Sequence, residues 1–593
     1  MRRAAALGFV AVALAQAPAL RPGELTDGST LLATGWRIRP AGAQVPVGGQ
    51  PLALALSADD KFLLSVSAGS PGAVSVIRTD TLEVVSRAAM EEAWQGIAVS
   101  SDGRHVYVAG GARNSVFEFA LSGEGELTLT QEMPGAAAGG HIGSLAIPPA
   151  GRLIYATDLL HNEILVFNPQ SGRVIDRYRT GRRPNQIVFA PEGRTFFVSS
   201  WADGTLLEHR TNNGEEIARI RVAPHPFGIA VSDRRLPEEP NPFALRVFVA
   251  AANTNNLFVI GVDRNDLLRL SDVLNIGFAP GQPAGASPTA VALSRDQTRV
   301  FVALANVNAV AVADTSEARS RLAGFLPVGA HPAAITVLRD HRLAVANARS
   351  GSVSVLPALT EPLLRRWTEQ AVELVGYDPA EPALAAAPVE NAVLILFSGI
   401  PGPNHAKLGR EFARIEHFFP NAPGAEGLEW LLSGVPSDFA QRLGGAAFVA
   451  RDPANQPPAG TLLSNARAAG LSTAESGPAR PVNLPAALPR FALLRVDDDA
   501  ALGEVIQTLS RSPGWAKTAA FVVAENAAPL VISPYSRQSR APEGMFYNHS
   551  SILRTIEWIL GLRPLTVFDA SARPLTQVFS ATADPRPFTA ELP

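Results

Sequence analysis

A chain of 593 residues is too long for one small module and has room for several domains of about 100 to 200 residues. Its 51 basic and 54 acidic side chains leave a net charge of −3, so it offers no basic field to nucleic acid or to an anionic membrane. With 47% apolar and 18% charged residues it has material for large cores, and the absence of cysteine excludes disulfides, thiolate metal sites, a cysteine nucleophile and a lipidated cysteine anchor.

The N-terminus has the layout of an export signal. Arg2 and Arg3 form a positive start, Ala4 to Ala15 is uninterrupted and apolar, and Ala15-Gln16-Ala17 or Ala17-Pro18-Ala19 supplies a small-x-small cleavage site. Twelve residues fall short of the roughly 20 that a spanning helix needs. The expectation is a signal peptide over 1–19, no transmembrane anchor after cleavage, and a periplasmic or extracellular protein.

From Pro51 onward one pattern recurs seven times: an anchor residue, alternating apolar positions, a turn built on Asp, Gly or Asn, and a second apolar strand. The anchors are Pro51, Trp94, Ile142, Pro184, Pro226, Pro288 and Pro332. They lie 42 to 48 residues apart except for one interval of 62, lengthened by the Pro-rich insertion Leu236 to Ala244 and a loop near Pro280 to Gly285. Period-two alternation is the strand signature, and four short strands every ~40 to 45 residues is the spacing of a propeller blade. The strand-like stretch Leu31 to Val47 precedes the first anchor and is expected to complete the last blade, because a ring that fails to close leaves an unpaired sheet edge.

The segments "HVYVAGGARNSV", "VFVAAANTNNLFVI" and "VFVALANVNAVAVAD" resemble the YVTN family of seven-bladed propellers over about residues 30–358. That resemblance implies an exported propeller that often lacks a catalytic centre. The residues just before the anchors are Gln50, Ala93, His141, Arg183, His225, Ser287 and His331. Repeat register sets them at similar radius, so His141, Arg183, His225 and His331 are candidate ligands for an anion or a metal at one mouth of the channel. The competing reading is of separate loop side chains too far apart to share an ion. A partner protein or small ligand at this propeller face is otherwise unidentified.

Glu361 to Gly376 reads as one amphipathic helix, followed by a Pro/Ala-rich linker, Tyr377 to Pro388. The pattern then changes to α/β. Strands are expected at Ala392 to Phe397, Phe491 to Val496, Ala519 to Ala524 and Pro529 to Ser533. Helices are expected at His405 to Phe419, Ala500 to Leu509 and Ser550 to Leu560. Asp497 to Asp499 precede one of these helices, where a carboxylate caps free N–H groups.

The segments "AKLGREFARIEHFF", "GLEWLLSG", "VDDDAALGEVIQTLSRSPGWAKTAAFVVAEN", "LVISPYSRQ" and "FYNHSSILRTIEWILGLRPLTVFDASARPL" resemble the phosphoesterase domain of the alkaline-phosphatase-like superfamily. The implied fold class is multidomain: an all-β seven-bladed propeller over 30–358, a helix and linker over 359–388, and a trimmed α/β alkaline-phosphatase-like domain over 389–593. The resemblance also implies divalent metal held by carboxylates, Asn and His, with a Ser or Thr oxygen attacking phosphorus.

The family's functional positions fall on different residues here. Its acidic-Asn motif is replaced by Ser398 to Gly402, its nucleophile falls on Gly424, and a metal-ligand position falls on Leu428. The late acidic run falls on Ala524, Glu525 and Asn526. Ser398, Gly424, Glu426, Glu525 and Asn526 are therefore expected as vestiges of a catalytic site, with Asp497, Asp499 and Glu525 as residual metal candidates. His549 is expected as a surface or capping residue. The leading expectation is an exported non-catalytic scaffold without a cofactor. The alternatives are a metal-dependent phosphoesterase of altered site, and a propeller channel that binds an anion, a metal or a small ester.

Overall fold

The computed structural model describes residues 20–236, 242–377, 389–443, 452–476, 488–537 and 544–591. The expected signal peptide, most of the Pro/Ala linker and the centre of the Pro-rich insertion lie outside these residues.

Seven sheets, each of four antiparallel strands, occupy residues 43–356. The innermost strands, from Gln50–Leu56 to Pro332–Val337, touch one another in succession, and the last touches the first, so the sheets form a closed ring. The two middle strands of a blade are the most buried. In the first blade Phe62–Ala68 is buried throughout and Gly72–Arg78 nearly so, whereas the last three residues of the innermost strand Gln50–Leu56 are half-buried and the outermost strand Val84–Met90 is mostly exposed or half-buried. Strands covered on both faces carry the longest apolar runs. Closure comes from the N-terminal strand Ala43–Pro46, which pairs antiparallel with Ser352–Leu356 as the outermost strand of the seventh blade.

The blades are joined by a repeated polar link. Asn162 and Asn308 each sit in a left-handed turn (φ 59° and 56°) and accept the backbone N–H of Arg183 and His331 in the next blade, at 2.9 and 3.0 Å. Arg183, His225, Ser287 and His331 also have positive φ, 53–60°, immediately before the anchor prolines. The repeat thus imposes one strained backbone state at equivalent places around the ring.

The helix Glu361–Val375 ends at Gly376, whose φ of 61° is the left-handed cap that glycine adopts without cost from a Cβ. Leu364 and Trp367 pack this helix on the propeller beside the strand Arg321–Pro327. Beyond it lies a six-stranded mixed sheet, in the order Ala413–Arg414, Ala527–Ile532, Thr518–Ala524, Asn391–Phe397, Phe491–Val496 and Thr473–Ser476. The last four are mutually parallel and Ala527–Ile532 runs antiparallel to its neighbour. Helices cover both faces: Leu394, Leu396 and Phe521 pack with Ile552 and Ile556 on one side, and Val393 and Ile395 pack with Leu408 and Ile506 on the other. A strand covered on both sides has no polar face, which explains why Asn391–Phe397 reads as a continuous apolar run.

The helix expected over His405 to Phe419 is shorter. It runs from Pro403 to Glu411, and Phe412 is already extended (φ −127°, ψ 175°). Ala413 and Arg414 then pair with Val531 and Leu530. Apolar residues at helical spacing do not reveal that a sheet edge nearby takes the main-chain hydrogen bonds instead.

Val45 is buried between Val353 and Val355 at the closing strand. Val45→Asp should cost about 3 kcal/mol by placing an unpaired carboxylate there, read as a lower urea midpoint in equilibrium unfolding.

Candidate functional site

A cavity of about 760 Å³ opens at the carboxyl ends of the parallel strands Asn391–Phe397 and Thr518–Ala524. Parallel sheets present ligand sites at this end, because the loops leaving the strands diverge there. Four of the five positions expected as catalytic vestiges line the same space, namely Ser398, Gly424, Glu525 and Asn526. The sequence-level grouping of segments more than 100 residues apart is therefore a spatial one.

Each polar group has a definite task. Gly424 is the first residue of the helix Gly424–Ser433, with φ 55°. A Cβ at Gly424 would lie 3.3 Å from Glu525 Oε1, so the Glu525 carboxylate stands against the positive end of that helix. Ser398 Oγ faces the Val496 carbonyl at 3.5 Å. Glu426 does not face the cavity; it forms a 2.6 Å ion pair with Arg349 of the propeller.

The acidic run is also committed to the backbone. Asp498 caps the helix Asp499–Ser510 by accepting from Ala501 N at 2.7 Å. Asp499 accepts from the N–H groups of Gly402, Asn404 and His405, at 2.8–2.9 Å, and so caps the start of Pro403–Glu411. Burial would raise its pKa, but these three donors hold it below the ordinary carboxylate value.

His549 differs from expectation. It is 6% exposed and lines the cavity, and Asn548, not His549, caps the helix His549–Leu560. Its Nδ1 accepts from Asn421 N–H at 3.3 Å, which puts the ring proton on Nε2, and burial lowers its pKa to about 4. The imidazole is neutral at physiological pH. Glu416, Phe418 and Arg495 also line the cavity; they lie in segments that the sequence pattern marks, where nothing singles them out as site residues.

Of the residues expected as residual metal candidates, Asp499 is engaged by three backbone N–H groups, while Glu525 stands at the cavity. Asp498 and Asp499 are held by backbone N–H groups, Glu426 by Arg349, and Gly424 and Leu428 have no donor atom. Among the described residues no three His, Asp or Glu side chains converge as metal ligands.

The ring residues His141, Arg183, His225 and His331 are all buried or half-buried, and two of them face the second domain. Arg183 Nε pairs with Asp452 Oδ2 at 2.9 Å. His225 stacks on Trp201 with ring centroids 4.0 Å apart, and both of its nitrogens face acceptors: Nδ1 meets Asp438 Oδ1 at 2.6 Å and Nε2 meets the Ala454 carbonyl at 2.7 Å. Two acceptors require two ring protons. Burial opposes that charge, but Asp438 and the two hydrogen bonds outweigh it and hold the pKa above the ordinary value. Trp201 Nε1 donates to the other Asp438 oxygen at 2.9 Å, and Phe439 packs edge-on to Trp201. His141 instead lies edge-on to Trp94 at 5.2 Å, its pKa lowered by burial to about 4, and the His331 backbone N–H donates to Asn308 Oδ1 at 3.0 Å. The four side chains are not gathered on one ion; Arg183 and His225 are engaged by different carboxylates of the second domain.

The channel itself narrows to a space of about 170 Å³ lined by Gln95, Ser144, Asn185, Gln186 and Thr289 among apolar residues. Gln95 Nε2 donates to Asn185 Oδ1 at 2.8 Å. None of the residues lining it is acidic or a histidine.

A family model described as "SMP-30/Gluconolactonase/LRE-like region" matches residues 62–202. The match lies wholly within the propeller. No curated protein matches the chain. Among solved structures it is similar to a chain of Kuenenia stuttgartiensis hydrazine synthase, with 15% identity and a TM-score of 0.43, covering 54% of this chain and 97% of that one.

The His225–Asp438 contact should make domain docking pH-dependent. A histidine whose folded pKa is raised stabilises fully below its unfolded value of about 6.5, and that stability is lost as pH rises through the higher folded value. His225→Gln should cost about 3 kcal/mol near pH 6, since it strands a buried carboxylate, and less near pH 9. Melting temperatures of the two proteins across that range check the narrowing gap.

Proposed function

We propose that the chain is an exported, non-catalytic two-domain binding protein: a propeller supporting a phosphoesterase-like domain that keeps its framework without its chemistry. The observation that carries this reading is the position of Gly424. The residue aligned with the family's oxygen nucleophile has no side chain, and the helix end that would steady a phosphoryl anion already faces the Glu525 carboxylate. Phosphoryl transfer depends on positioned positive charge and hard metal ligands, and both are replaced here by capped or paired carboxylates.

A second reading follows from the match at residues 62–202, since the description of that family model includes the word gluconolactonase. The amide and hydroxyl groups of Gln95, Ser144, Asn185 and Thr289 favour hydrogen bonding to a neutral guest and supply neither a general base nor a charged metal ligand.

Purified protein should show no turnover of aryl phosphate mono- or diesters above buffer with Mn²⁺, Ca²⁺ or Zn²⁺. Turnover that disappears in Glu525→Ala would overturn the leading reading. Gly424→Ser should leave the rate at background as well, because the φ of 55° and the 3.3 Å approach of Glu525 act against a side chain there and no metal-ligand set accompanies it. A time course with the same aryl phosphates checks this variant.

A further inference from the structure

The cavity that carries the non-catalytic reading has the size and composition of a small-molecule site. Its volume, about 760 Å³, lies within the range of roughly 300–1,000 Å³ usual for such sites. Leu396, Phe418, Leu428 and Val523 give it an apolar body, and His549 adds a single neutral donor within it. The charged groups are Glu416, Glu525 and Arg495, all exposed at the cavity. Among the described residues, neither carboxylate has an ion-pair partner.

Two carboxylates outnumber the one guanidinium, and Glu525 is the better placed of the two. It stands against the first residue of Gly424–Ser433, at the place where the helix end would otherwise attract an anion from solution. An incoming phosphate or carboxylate would meet that negative charge. An incoming ammonium would find it, and the carboxylate would then have a cationic partner that it lacks among the described residues.

We infer that this cavity binds a small organic cation, an amine carried on an apolar body, with Glu525 as the charge partner of the ammonium. The inference rests on the non-catalytic reading of the same cavity. Leu396, Phe418, Leu428 and Val523 take up the apolar body, and Glu416 adds to the negative potential at the mouth.

Three probes with one body and different heads test it: phenylbutylamine, phenylbutanol and phenylbutyrate, titrated calorimetrically into the full-length protein at neutral pH. The amine should bind about tenfold tighter than the alcohol, the difference of one charge-assisted hydrogen bond, and the carboxylate weakest. Glu525→Gln should bring the amine down to the affinity of the alcohol and leave the alcohol unchanged; because the side chain is exposed, the melting temperature should fall only slightly, by the loss of a solvent-screened helix-dipole contact. Leu428→Asn should weaken all three. Equal affinities, tighter binding of the carboxylate, or no binding of any probe would overturn the inference. Aryl phosphate turnover in the same preparation would instead overturn the reading on which it rests, so the two failures are distinguishable.

Discussion

A ring of sheets has one requirement that an open sheet lacks: its last blade must find a partner for its outer edge. Here the strand Ala43–Pro46 supplies it by pairing with Ser352–Leu356, more than 300 residues away in the chain. The main-chain hydrogen bonds of that pairing turn seven similar units into one rigid body. The second domain depends on that rigidity, because its contacts fall on several blades. Trp36, just before the closing strand, stacks on Phe568 at 4.3 Å and donates to Ser571 Oγ at 2.9 Å. Arg182 and Arg183 in the fourth blade meet Asp452, and His225 in the fifth meets Asp438.

The seam between the domains holds charge in a dry place. His225 and Asp438 are each almost fully buried, and such a pair is stable only when the remaining donors and acceptors are met. Trp201, the Ala454 carbonyl and the stacked indole face meet them. Phe439 fills the space beside this pair with apolar surface. The outcome is a contact that fixes orientation: a rotation of one domain would strand a carboxylate and an imidazolium together.

The cavity of about 760 Å³ is framed by strand ends and helices, whereas most of the acidic groups near it are committed elsewhere. Strand ends, the helix at Gly424 and the buried His549 keep a concave site at the carboxyl edge of a parallel sheet. Asp498 and Asp499 cap two helices through backbone N–H groups, and Glu426 forms an ion pair with the Arg349 side chain of the propeller. A carboxylate cannot accept three N–H bonds and also serve well as a ligand to a hard ion, so capping and metal binding are competing uses of one side chain.

Local pattern alone determined the repeating strands, the closing role of the segment before Pro51, the helix Glu361–Val375 with its terminal Gly376, and the parallel character of Asn391–Phe397. Each depends on periodicity or on a turn residue, which act over a few positions. Convergence of Ser398, Gly424, Glu525 and Asn526 was also legible, because a resemblance spanning distant segments carries their spatial relation. Tertiary structure decided the rest. It ended the helix at Glu411 by offering a sheet edge, buried His549 in a cavity wall, and turned Arg183 and His225 toward two carboxylates more than 200 residues away. Those outcomes depend on which surfaces meet after folding, and no window of neighbouring residues contains that information.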